Sequence, residues 1–143
     1  MLPIKQYLKF RFAVLGILCG FEIPLNSIGK GLSIAHKGLI IINGGAKIGE
    51  NLRMHIGVNI GTAPDCSNVA PKIAGNVYIE SGVKLYGKIE IASGIMIGVN
   101  AVVTKSFLEE NICIAGVPAR KISEYGRLEI EERNLKMYST ENI

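Results

Sequence analysis

From Ile28 to Phe107 an aliphatic residue returns at every sixth position for most of the stretch. The marks of the later half are Ile73, Ile79, Leu85, Ile91, Ile97 and Val103. Four positions after them stand Val77, Val83, Ile89, Ile95, Ala101 and Phe107. The earlier half keeps the beat at Ile28 and Ile34, slips by two residues, and resumes at Ile42, Ile48, Met54 and Ile60. The position after a mark is mostly small, as at Gly29, Ala35, Gly49, Gly61, Ala74, Ala92 and Gly98. A period of six suits neither an amphipathic helix nor an alternating strand. It predicts an all-β solenoid of short strands and tight corners, each coil burying its aliphatic residues against the next. Three hexads per turn would give about four to five coils at the ~4.8 Å spacing of paired strands. A prism only ~20 Å tall holds a small core for a monomer, so association is expected.

The pattern also divides the chain. Thirteen residues separate Ile60 from Ile73, where six or twelve would stay in phase, and Gly61 to Asn68 is turn chemistry. A loop at about 61–72 is expected there, and loops on rigid scaffolds often carry specificity. Before the first coil, Pro24 of Glu22-Ile23-Pro24 stops any preceding helix. Residues 1–20 predict a helix with Ile4, Leu8, Phe12, Leu15 and Cys19 on one stripe and Lys5, Lys9 and Arg11 mainly off it. Its apolar run, Phe12 to Cys19, falls short of the ~20 residues of a membrane span. No Ala-x-Ala-like cleavage site follows it. Packing against the solenoid or a sister subunit is expected, with an interfacial membrane anchor as the alternative. The solenoid domain, 21–122, closes at Ala115-Gly116-Val117-Pro118-Ala119-Arg120. Residues 123–143 read as a short helix and a disordered end that cap the last coil with a solvated face.

Seventeen glycines and no tryptophan among 143 residues suit corners that need positive φ. A net charge of +4 favours an anionic ligand, but no aromatic-plus-basic interleaving of the nucleic-acid kind is present. Cys19, Cys66 and Cys113 are widely spaced and read as reduced thiols. With His36 and His55 the only histidines, one chain cannot supply a three-histidine zinc site. No metal is expected. A carbonic anhydrase drawing three histidines from adjacent chains is disfavoured for the same reason.

The hexads, His36, the extruded loop and the Ala115–Arg120 segment resemble the hexapeptide-repeat acyltransferases over about residues 21–122. That resemblance implies a left-handed parallel β-helix that acts as a homotrimer and uses acetyl-CoA. The hand comes from the family, since chain sterics favour right-handed crossovers. The most similar branch is the serine O-acetyltransferases, in which a segment similar to Gly31-Leu32-Ser33-Ile34-Ala35-His36 carries the catalytic histidine. His36 is therefore implied as general base, a role that imidazole's unperturbed pKa of roughly 6.5 suits. Transfer from a thioester also needs an oxyanion donor and a groove aligning both substrates. No Gly-x-Ser-x-Gly is present, so direct transfer is preferred to an acyl-enzyme. By the same resemblance Ser81 and Val99 lie along the pantetheine arm, Thr104 and Lys105 meet the CoA end, and Arg120 faces a phosphate, while Gly82 is read as serving the turn and permitting close cofactor approach. The plain alternatives are a corner lysine and a capping arginine.

The departures change the acceptor. Where the serine branch has an aspartate immediately before the histidine, this chain has Ala35, and Arg-His-Pro-Lys after the loop is here Val69-Ala70-Pro71-Lys72. The aspartate that orients the histidine falls, by spacing, at Phe21 beside Glu22. Glu22 can accept the other ring N–H of His36 or stand as a solvated corner carboxylate. His55, about one coil on, lines the acceptor site or lies on an outer face. The expectation is an O-acetyltransferase acting on a sugar of a surface polysaccharide or its precursor, a branch that short enzymes with a Glu-Ile-Pro-like entry resemble. Serine O-acetyltransferase is the alternative, and a catalytically silent trimeric scaffold the non-enzyme alternative. The implied setting is cytoplasmic, at the inner membrane face if the N-terminal segment contacts lipid.

Overall fold

A computed structural model describes residues 3–64 and 69–140, the side chains of 134 and 137–140 excepted. Cys66, in the extruded loop, lies outside the described residues. Helix α1 (Ile4–Cys19) precedes fourteen short strands. In chain order they are β1 (Phe21–Glu22), β2 (Ser33–Ile34), β3 (Ile40–Ile42), β4 (Lys47–Ile48), β5 (Arg53–Met54), β6 (Asn59–Gly61), β7 (Lys72–Ile73), β8 (Tyr78–Ile79), β9 (Lys84–Tyr86), β10 (Glu90–Ile91), β11 (Met96–Ile97), β12 (Val102–Val103), β13 (Cys113–Ala115) and β14 (Arg120–Ser123). Helix α2 (Arg127–Thr140) follows.

The strands form the three flat sides of a coil. Sheet 1 runs β1-β3-β6-β9-β12, sheet 2 runs β4-β7-β10, and sheet 3 runs β2-β5-β8-β11-β13-β14. Every pair is parallel except β13 with β14. The hexad marks become inward columns. Ile42, Ile60, Leu85 and Val103 stack beneath sheet 1, Ile48, Ile73 and Ile91 beneath sheet 2, and Ile34, Met54, Ile79, Ile97 and Ile114 beneath sheet 3. The second set, from Val77 to Ala101, is buried with them. Burying one such side chain is worth about 1.5–3 kcal/mol, which makes the period the main determinant of the fold.

Coils approach closely at the position after a mark. A Cβ on Gly49 would stand 2.6 Å from the Gly75 nitrogen of the next coil, so this position on sheet 2 requires glycine. The corners differ from expectation in one respect. Asn51, Asn76, Asn100 and Asn111 share with glycine the turns at positive φ, because asparagine is the side chain that tolerates that region best. The break at 61–72 is an insertion. Leu85 pairs with Ile60, whereas Val103 pairs with Leu85, which makes the coil through the loop seven residues longer.

The ends depart further. The closing segment is a hairpin, with β14 folding back on β13 through a turn that contains a cis Val117–Pro118 bond. Instead of capping the last coil, the start of α2 lies along the corner between sheets 2 and 3. There Arg127 donates to the carbonyls of Asn51 and Val77 and pairs with Glu131. Helix α1 shows no single stripe: Tyr7, Phe10, Val14, Ile17 and Leu18 are as exposed as Ile4, Leu8 and Leu15. It contacts β1 but buries no residue of its own, so of the two expected packing partners the solenoid of the same chain covers little of it. No helix among the described residues is long and apolar enough to cross a membrane.

Ile79→Ala, at a fully buried column position, is expected to lower stability by about 2–5 kcal/mol in urea melts at fixed protein concentration. Lys88→Ala, at an exposed corner, should change it by less than about 0.5 kcal/mol.

Candidate active site

His36 follows β2 on the corner between sheets 3 and 1, and the two-residue slip in the hexads falls on this corner. Ile34 pairs with Met54 but Ile42 with Ile60, so the turn after Ile34 is two residues longer than the turn after Met54. The Gly38 N–H donates to the Cys19 carbonyl at 2.9 Å, tying the enlarged corner to the end of α1. His36 is carried into solvent on it.

A polar cluster surrounds it. The His55 ring stands edge-on to His36, with centroids 5.9 Å and planes 62° apart. His55 Nε2 and the Tyr78 hydroxyl share a 2.8 Å hydrogen bond whose direction depends on the imidazole tautomer. Tyr78 pairs in register with Arg53, whose guanidinium lies 5.8 Å from the ring centroid. Arg53 Nη1 donates to Ser33 Oγ at 3.1 Å. The mechanism of assembly is simple: with Ile34, Met54 and Ile79 turned inward, their neighbours along sheet 3 face out and stack coil upon coil. Ser33, Arg53 and Tyr78 form one outward column, and Ala35, His55 and Glu80 the next.

The remaining candidates divide between edges. Register carries the His36 edge past Ile56 to Ser81, Gly82 and Val99. Gly82 has φ +75°, and a Cβ there would meet the Asn100 Oδ1 at 2.0 Å, so this turn admits little but glycine. Thr104 and Lys105 follow β12 on a different corner, between sheets 1 and 2, with Lys105 lying 5.3 Å from the Phe107 ring centroid. Arg120 is exposed and opens β14, opposite Ala115. Glu22 corrects an expectation. It sits in β1 on sheet 1 beside Ile41, exposed, and no hydrogen bond joins it to His36. The ring beside His36 is that of His55. No three of His, Cys, Asp and Glu among the described residues are grouped to hold a metal.

The pattern alone did not single out Tyr78, Arg53 or Glu80. One signal was available: His55 and Glu80 put large polar side chains in the slot that is otherwise mostly small.

Comparison with known proteins agrees with this fold. The serine acetyltransferase of Staphylococcus epidermidis is 36% identical over 110 residues, covering 76% of this chain and 51% of that protein. That of Staphylococcus xylosus is 32% identical over 127 residues, covering 86% and 58%. Among solved structures, the serine acetyltransferase of Brucella abortus in complex with coenzyme A superposes with a TM-score of 0.64 at 35% identity, covering 70% of this chain and 41% of that one. The soybean enzyme complexed with serine gives 0.62 at 29%, covering 66% and 39%. The chain folds as the left-handed β-helix of the hexapeptide-repeat acyltransferases. It spans about half the length of the curated relatives it matches. No family model matches it. These named relatives are serine acetyltransferases, and the sugar-directed expectation finds no support among them.

Tyr78→Phe should fold, lose about 0.5–1.5 kcal/mol with the hydrogen bond, and change the His55 ring ¹⁵N shifts in NMR. Unchanged shifts would mean that the Tyr78 hydroxyl does not hold His55.

Proposed function

We propose that this β-helix catalyses acetyl-CoA-dependent O-acetyl transfer, with L-serine as the acceptor to test first. The observation that carries the proposal is His36, displayed on an enlarged corner beside His55 and at the head of the edge that leads to Ser81, Gly82 and Val99. Similarity to serine acetyltransferases, one of them solved with coenzyme A, supports both the donor and the acceptor class.

In this reading His36 takes the proton of the acceptor hydroxyl as its oxygen attacks the thioester carbonyl. Collapse of the tetrahedral intermediate expels the CoA sulfur, and the imidazolium returns the proton to it. The donor lies along the His36 edge. Lys105 and Arg120, on separate parts of the last coil, supply cations for the nucleotide phosphates. A sugar acceptor remains the second reading because Ala35, Val69 and Ala70 replace residues with which the serine branch holds its amino acid. We also propose a homotrimer, since α1 and a thin prism leave apolar surface that a single chain does not cover.

The test is thiol release from acetyl-CoA with L-serine and a panel of sugars in parallel. His36→Gln is expected to lower transfer at least ~100-fold while acetyl-CoA still binds. Transfer that survives the substitution would remove His36 as base. Transfer to a sugar but not to serine would replace the acceptor, and no acetyl-CoA binding at all would leave the scaffold reading. Sedimentation equilibrium should give three times the 15.4 kDa chain mass; a monomer would overturn the trimer.

A further inference from the structure

We infer that Arg53 and Glu80 form the acceptor-recognition pair, holding the carboxylate and ammonium of a small hydroxy amino acid whose hydroxyl meets His36. This inference rests on the proposed acetyl transfer. It locates the charge partners that Ala35, Val69 and Ala70 no longer provide.

Both residues face outward on sheet 3 beside the histidines. Arg53 precedes inward Met54, and Glu80 follows inward Ile79, the register partner of Met54. The two are therefore diagonal neighbours, one coil and two positions apart, and His55 shares a column with Glu80. Both are half-buried, which strengthens charge recognition relative to open water. They form no ion pair with each other, and among the described residues the Glu80 carboxylate has no hydrogen-bond partner, its backbone N–H alone being engaged, with the Ile97 carbonyl. Arg53 uses one N–H on Ser33 and lies against the Tyr78 ring, which fixes the plane of its fork and leaves further N–H groups for a carboxylate. A buried-side carboxylate and guanidinium placed so near yet unpaired is an arrangement that a zwitterion completes.

Arg53 lies two residues before His55 along sheet 3, and the His55 ring stands beside His36, so the guanidinium and the base border the same outward face. A sugar ring offers neither charge, and its hydroxyls would leave both ionic groups desolvated without compensation. Ala35 fits the same picture. The methyl in that slot, above His55, leaves open the space that an acidic side chain would fill, and the anionic partner lies two coils further along the column at Glu80.

The experiment compares kcat/KM for L-serine, L-serinamide, which lacks the carboxylate, and 3-hydroxypropanoate, which lacks the ammonium. Wild type, Arg53→Gln, Arg53→Lys and Glu80→Gln are measured, each checked for folding by thermal melt. Arg53→Gln should collapse the preference for L-serine over L-serinamide at least tenfold, with partial rescue in Arg53→Lys. Glu80→Gln should collapse the preference over 3-hydroxypropanoate by a similar factor. The KM for acetyl-CoA should not follow either change. Because each preference is a ratio within one folded variant, a general loss of stability cannot mimic it. Wild-type transfer to L-serine with both preferences intact in the variants would overturn this inference and leave the proposed function standing. Absence of transfer to L-serine in wild type, with transfer to a sugar, would overturn this inference and replace the proposed acceptor, while O-acetyl transfer itself would stand.

Discussion

Stacking of like on like governs this molecule. Each inward side chain rests on the residue at the same position one coil away, and each backbone amide of a side donates to the coil beside it, as His55 does to Ile79 and Gly49 to Ile73. A shift of one residue within any side would turn an aliphatic column outward and break its ladder. Insertions are therefore tolerated only at corners. The two large ones, two residues after Ile34 and seven after Ile60, both leave the columns above and below in register. The same constraint that makes the sides monotonous concentrates variation at the edges, and the exposed histidine stands on one of them.

Repetition also builds sites cheaply in sequence. Residues some twenty positions apart become neighbours without any long-range design beyond the period itself, so Ser33, Arg53 and Tyr78 make one column and His55 meets both His36 and Tyr78. The close approach of coils enforces small residues along sheet 2, where Gly49 has no room for a side chain. On sheet 3 the corresponding slot admits His55 and Glu80. Sheet 3 thus differs chemically from sheet 2 at the same slot.

The inward half of the structure was legible because burial imposes a period. The marks, the slip at Ile34 and the break after Ile60 all map onto strands, an enlarged corner and an insertion. The outward half carries no such rule. Nothing periodic distinguishes Arg53 or Tyr78 from a solvated strand residue, and their significance arises from register. Spacing along the chain leaves Glu22 either to orient His36 or to stand in solvent; it stands exposed on sheet 1, and the ring beside His36 is that of His55. Asparagine corners were passed over because glycine is the more familiar residue at positive φ. The antiparallel β14 obeys local hairpin chemistry instead of the hexad beat, and α1 leaves apolar residues exposed both on its expected stripe and off it.

The disagreement between overall similarity and local motif has a physical resolution. Columns and corners serve any acceptor alike, so identity of about one third to serine acetyltransferases does not by itself choose a substrate. Loss of a motif's charged residues does not choose one either, because a zwitterion needs only two opposite charges at a fixed separation from the base. A solenoid offers many ways to supply them, since each outward column presents a side chain every coil at nearly constant spacing. In the proposed site Arg53 and Glu80 would supply them from sheet 3, whereas the residues they would replace precede His36 and follow the extruded loop. Recognition can migrate across such a surface while the base stays on its corner, and charge geometry around His36 is a better guide to the acceptor than the wording of the motif.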